Sequence, residues 1–144
     1  IRDISEKVIM LLKHDMRVIF CIGEQLSERK ANTHFDVIEQ QLSSILSLDP
    51  SSFEKVIVAY EPVWAIGTGE TASKEQAQEM HYFIRQQLAD VYGNLAKQTP
   101  ILYGGSVKPS NAAELFAEED VDGGLVGGAT LDADSFIGII KAAG

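Results

Sequence analysis

Val56-Ile57-Val58-Ala59-Tyr60-Glu61-Pro62-Val63-Trp64-Ala65-Ile66-Gly67-Thr68-Gly69 runs without a break from an apolar segment into an acid, a proline and a glycine-bearing loop. A short continuous apolar run reads as a strand covered on both faces, which is the pattern of a parallel sheet. In parallel α/β folds the working residues gather on loops that leave the C-terminal ends of strands. Glu61 stands at that place, and the proline after it stiffens the chain that carries its carboxylate. A lone glutamate at a strand end is ordinarily a surface residue, but the loop that follows alters the reading. Pro62-Val63-Trp64 and Thr71-Ala72-Ser73 form stiff ends around a supple centre holding Gly67 and Gly69, with Trp64 and Ile66 as large apolar groups able to pack in two positions. That is the make-up of a lid over residues 62–72. A general base beside a lid that excludes water acts with strengthened electrostatics.

Outward from this stretch the chain alternates helices and strands. Ile4, Val8, Leu11 and Leu12 recur at helical spacing before the strand Arg17-Val18-Ile19-Phe20-Cys21, which ends at Ile22-Gly23. Phe35, Ile38, Leu42, Ile45 and Leu46 mark a second helix, with a stop near Asp49-Pro50. Ala77, Met80, Ile84 and Leu88 predict a long helix opened by a capping box of Ser73 and Gln76 and closed near Gly93. Ile101-Leu102-Tyr103 reads as a third strand, 111–116 as a short helix, Leu125-Val126 as a fourth strand and 135–143 as a closing helix. Four strands alternating with helices suit either a doubly wound sheet or half of a barrel, and periodicity does not choose between them.

With 144 residues, 45% of them hydrophobic and 23% charged, the chain is expected to form a single domain over residues 1–144. The net charge of −9 argues against nucleic acid or an anionic membrane surface as partner. No apolar run approaches the roughly 20 residues that span a bilayer. The first residues lack the blocks of a signal peptide, so a cytoplasmic location is expected. Because the chain opens directly in an amphipathic pattern, residues are expected to precede Ile1 in the native protein. Cys21 is the single cysteine and reads as a small core residue. His14, His34 and His81 show no ligand spacing, and no metal site is expected. Glu118-Glu119-Asp120 reads as a solvated turn, with Asp120 or Asp122 as a possible partner for Arg85.

Gly104-Gly105-Ser106 and Gly127-Gly128 follow the third and fourth strands. Missing Cβ atoms there let backbone N–H groups approach an anion, and Ser106 adds a hydroxyl donor. Either pair alone is an ordinary turn. Two on adjacent strand ends, with Gly67 closing from a third, point to a phosphate cradle.

Ala59-Tyr60-Glu61-Pro62-Val63-Trp64-Ala65-Ile66-Gly67-Thr68-Gly69 resembles the lid signature of the triosephosphate isomerase family. Tyr103-Gly104-Gly105-Ser106-Val107, Leu125-Val126-Gly127-Gly128-Ala129 and Cys21-Ile22-Gly23-Glu24 resemble its seventh, eighth and fifth strand ends. The resemblance implies a (β/α)8 TIM barrel of which this chain supplies about the C-terminal half, strands five to eight. It implies interconversion of D-glyceraldehyde 3-phosphate and dihydroxyacetone phosphate through an enediolate, with Glu61 as catalytic base, Gly67, Ser106, Gly127 and Gly128 on the substrate phosphate, and no cofactor. The family's lysine, asparagine and carbonyl-polarising histidine would lie upstream, so the chain alone is expected to be inactive or weakly active. A homodimer is expected for the complete protein. The alternative is a non-catalytic half barrel that binds phosphate or self-associates through open sheet edges.

Overall fold

A computed structural model describes residues 2–68 and 70–144; Ile1 and Gly69, the latter in the expected lid, lie outside the described residues. The chain folds as α1 (Arg2–Lys13), β1 (Val18–Ile22), α2 (Leu26–Lys30), α3 (His34–Leu42), α4 (Pro50–Phe53), β2 (Val56–Tyr60), α5 (Lys74–Tyr92), β3 (Ile101–Tyr103), α6 (Pro109–Phe116), β4 (Gly123–Gly124) and α7 (Ala133–Ala142). The four strands form one sheet in the order β1-β2-β3-β4, parallel throughout.

Helices cover one face of that sheet. In β1, Val18, Phe20 and Ile22 are buried while Ile19 and Cys21 are exposed. The buried set meets Ile38, Leu42, Ile45, Phe53, Met80, Ile84 and Leu88, each fully withdrawn from solvent. Side chains of this kind contribute about 1.5–3 kcal/mol apiece when buried. On the other face, Ile19 pairs across to Ile57, and Cys21 to Ala59 and on to Leu102. Ile19 remains 48% exposed. A doubly wound sheet would carry helices on both faces, so this one-sided cover fits part of a TIM barrel.

α5 begins at the expected capping box: the Ser73 hydroxyl accepts from Gln76 N–H at 3.2 Å and the Gln76 amide oxygen accepts from Ser73 N–H at 2.9 Å. Gly93, at φ 55°, closes it.

Three elements differ from expectation. The second helix ends at Leu42 rather than near Asp49-Pro50. That dipeptide instead opens α4, where the Asp49 carboxylate accepts from Ser52 N–H at 3.0 Å and Pro50 takes the first turn, which needs no N–H. The fourth strand lies at Gly123–Gly124, two residues ahead of Leu125-Val126, because the β3 register sets Leu102 against Gly123 and Tyr103 against Gly124. The ladder's last bond still reaches Leu125, whose N–H donates to the Tyr103 carbonyl at 2.9 Å. The short helix α2 had no counterpart in the periodicity, since none of its residues is buried.

Candidate active site

The ends of β1 and β2 are locked together around Glu61. Glu61 N–H donates to the Ile22 carbonyl at 2.7 Å, and Val63 N–H donates to the Glu24 carbonyl at 3.1 Å. Between these bonds Gly23 lies so close that a Cβ on it would fall 1.8 Å from the Glu61 carbonyl oxygen. The Glu61 side chain passes over Gly104, where a Cβ would stand 2.5 Å from its Cγ. Both glycines are required by close approach.

Cys21 lies on the exposed face of β1, not in the core, because its place in the strand's alternation points it away from the helices. Partial burial and then the neighbouring Glu61 carboxylate push its thiol up to about 11. It therefore stays protonated at neutral pH and is a poor nucleophile.

Glu24 is fully buried and accepts from the Tyr60 hydroxyl at 3.0 Å and from Trp64 Nε1 at 2.9 Å, with Arg29 Nη1 3.6 Å away. Burial, then the Glu24 charge, pushes the Tyr60 hydroxyl far up, so it remains a donor. Trp64 sits in the 3-10 turn Val63–Ala65, so a buried carboxylate anchors the near end of the lid. At the far end the Tyr103 hydroxyl accepts from Ala72 N–H at 3.3 Å. Sequence reasoning missed both Glu24 and Tyr103. The available signal was their place, since each lies within two residues of a strand end.

Glu61, Gly67, Ser106, Gly127 and Gly128 line one cavity of about 480 Å³, together with Ile66 and Lys108. All five expected site residues thus meet. Ser106 N–H and hydroxyl both donate to the Ala65 carbonyl, at 3.1 and 3.0 Å, tying the β3 turn to the lid. A Cβ on Gly127 or Gly128 would meet no described atom within 4 Å, so packing does not demand glycine at either.

Beneath the seam of β2 and β3, Arg85 binds Asp120 at 3.0 Å and Asp122 at 2.7 Å and donates to the carbonyls of Ala96 and Thr99. Asp120 is therefore a structural ion-pair partner and not part of a solvated turn; only 8% of it is exposed. His81 is fully buried beside this network, with Nδ1 3.1 Å from the Asp120 carbonyl. Among the described residues no group of His, Cys, Asp and Glu could hold a metal ion, and no helix is long and apolar enough to cross a membrane.

The family model for triosephosphate isomerase matches residues 1–143. The chain belongs to the triosephosphate isomerase family. It is 59% identical over 140 residues to a triosephosphate isomerase of Phocaeicola vulgatus, covering 96% of this chain and 56% of that protein. With the Flavobacterium johnsoniae triosephosphate isomerase it shares 55% identity over 141 residues, 96% of this chain and 56% of the relative. With that of Hydrogenovibrio crunogenus it shares 52% over 144 residues, 99% and 57% respectively. The chain thus spans a little over half the length of the curated relatives it matches.

Proposed function

We propose that this chain is the C-terminal half of a triose phosphate isomerase barrel, a single domain in which Glu61 is the base. Glu61 takes a proton from the carbon beside the substrate carbonyl, giving an enediolate, and returns it to the neighbouring carbon. The aldose and ketose phosphates interconvert with no net change in protons or electrons. N–H groups of Gly67, Gly127 and Gly128, with Ser106, hold the phosphate, and the lid over residues 62–72 keeps water from the enediolate. One observation carries the reading: the Glu61 carboxylate and the glycine turns line the same cavity beneath the lid. Lys108 on its wall adds positive charge against the chain's net −9.

The open sheet face and the length shared with relatives support a reading in which the remaining machinery lies on the rest of the barrel. The isolated chain is accordingly expected to turn over weakly or not at all. A cytoplasmic enzyme that pairs as a homodimer when complete belongs to the same reading.

The test is conversion of glyceraldehyde 3-phosphate to dihydroxyacetone phosphate by the complete barrel carrying this chain, beside Glu61→Gln. A loss of about 10²–10⁴-fold in kcat assigns the base. No turnover in the complete, unmodified barrel sinks the isomerase reading. The exposed Ile19 favours one second reading for the chain alone, a half barrel that self-associates. Sedimentation of the 144-residue chain distinguishes a monomer from that assembly.

A further inference from the structure

Gly23 is the first residue beyond β1, and its position is passed directly to Glu61. A Cβ on it would lie 1.8 Å from the Glu61 oxygen, 2.6 Å from the Glu61 carbonyl carbon and 3.3 Å from Pro62 N. On either side of this contact, Ile22 and Glu24 bond the backbone of Glu61 and Val63. A shift of Gly23 toward or away from β2 must therefore move the peptide that carries the base.

Gly23 itself is held from the side away from β2, by a side chain. The Gln41 carboxamide oxygen accepts from Gly23 N–H at 2.8 Å, and its Nε2 donates to the Gly23 carbonyl at 3.0 Å. This is the donor and acceptor pair that a neighbouring strand would offer, supplied by one amide. The anchor is firm, since Gln41 lies on α3 between Ile38 and Leu42, both fully buried in the core. Gln41 also lines a second cavity of about 300 Å³ with Cys21, Gly23 and Glu61. A carboxamide presents a donor and an acceptor side by side in one plane, and glutamine carries it one methylene further from the backbone than asparagine. A surface-facing helix position would not need that residue type.

We infer that Gln41 is a positioning residue for Glu61, acting through the Gly23 backbone. It does not touch the reacting atoms. It fixes where the base sits relative to the substrate carbon, and a misplacement of about 1 Å at such a contact costs about 10²-fold in rate. The inference rests on Glu61 being the base, as proposed above.

The test uses the complete barrel, with turnover of the unmodified protein measured first. Absence of turnover there fails the isomerase reading, before any variant is compared. Given turnover, Gln41→Met keeps the side chain's bulk and removes both bonds. It is expected to lower kcat about 10- to 100-fold with KM within about twofold, while hydrogen exchange of the Gly23 amide accelerates. A kcat equal to that of the unmodified protein, with the Gly23 amide exchanging faster, overturns the inference. So does a loss of activity that merely follows the unfolded fraction. Should Gln41→Met fail to fold, Gln41→Glu keeps the acceptor for Gly23 N–H and loses the donor. Its kcat is expected to fall with KM held, and an undiminished kcat rejects the role.

Discussion

At the C-terminal end of the sheet two pairs of strand ends lie side by side and are built differently. At the ends of β1 and β2, Ile22, Gly23 and Glu24 grip residues 60–64 by backbone bonds, a van der Waals contact and a buried carboxylate. At the ends of β3 and β4, Gly104 N–H still bonds the Tyr60 carbonyl, but Ser106 bonds to the lid and Gly127 to Thr130 within its own turn, and a cavity is left between them. The contrast follows the chemistry proposed for each side. A base must be held by the protein before the substrate arrives, whereas a phosphate cradle has its remaining bonds completed by the anion.

The largest effect expected from breaking the gripped side comes from Glu24→Ala. It strands the Tyr60 hydroxyl, the Trp64 indole N–H and the Arg29 guanidinium, and should cost about 3–5 kcal/mol in urea unfolding. His81 lies under the seam between the two regions, with its ring centroid 5.8 Å from that of Tyr60 and 6.3 Å from that of Tyr103. Burial first of all lowers its pKa from 6.5 to about 4. The unfolded chain therefore binds a proton that the folded chain refuses between those values. The stability that His81 contributes should fall by about 3 kcal/mol as pH drops from 6.5 to 4 and change no further below that. Thermal melts across that range should show the slope, flattened in His81→Gln.

Gly23→Ala drives a methyl into the Glu61 carbonyl and should cost about 1–3 kcal/mol, read by the same unfolding titration, with kcat falling beyond the loss of folded protein. Gly128→Ala probes the open side. Because a Cβ there meets nothing, stability should change by less than about 0.5 kcal/mol, while inorganic phosphate binding, followed calorimetrically, weakens about tenfold through one obstructed N–H. Equal stability costs at Gly23 and Gly128 would erase the contrast between the two sides.

Much of this was legible in the chain. Val56–Tyr60, α5 and its capping box follow from apolar spacing and from Ser73 with Gln76, because local rules act within a few residues. The convergence of Glu61, Gly67, Ser106, Gly127 and Gly128 on one cavity followed from their places after strands. What escaped depends on partners distant in sequence. The fourth strand was displaced onto Gly123–Gly124 because pairing with Leu102 and Tyr103 overrode the pull of the apolar Leu125-Val126. Cys21 reads as a core residue in the sequence yet is exposed, because an apolar run does not reveal which face of the sheet is covered. Glu24 and Gln41 carry ordinary polar side chains in the sequence, and only the fold shows the carboxylate buried under Trp64 and the amide laid along Gly23.

The strand order β1-β2-β3-β4 has a consequence for how the molecule comes into being. Each of these three ladders joins a strand to the next one along the chain, so none of the three waits for a segment from a remote part of the sequence. During synthesis β1 and β2 can zip together, with α3 laid over them, while β3 and β4 are still being made. The grip on Glu61 would then form ahead of the cradle. Pulse-labelled hydrogen exchange during refolding should find the Glu61 amide, bonded to Ile22, protected before that of Leu125, bonded to Tyr103; the reverse order would show that the sheet assembles from its other edge.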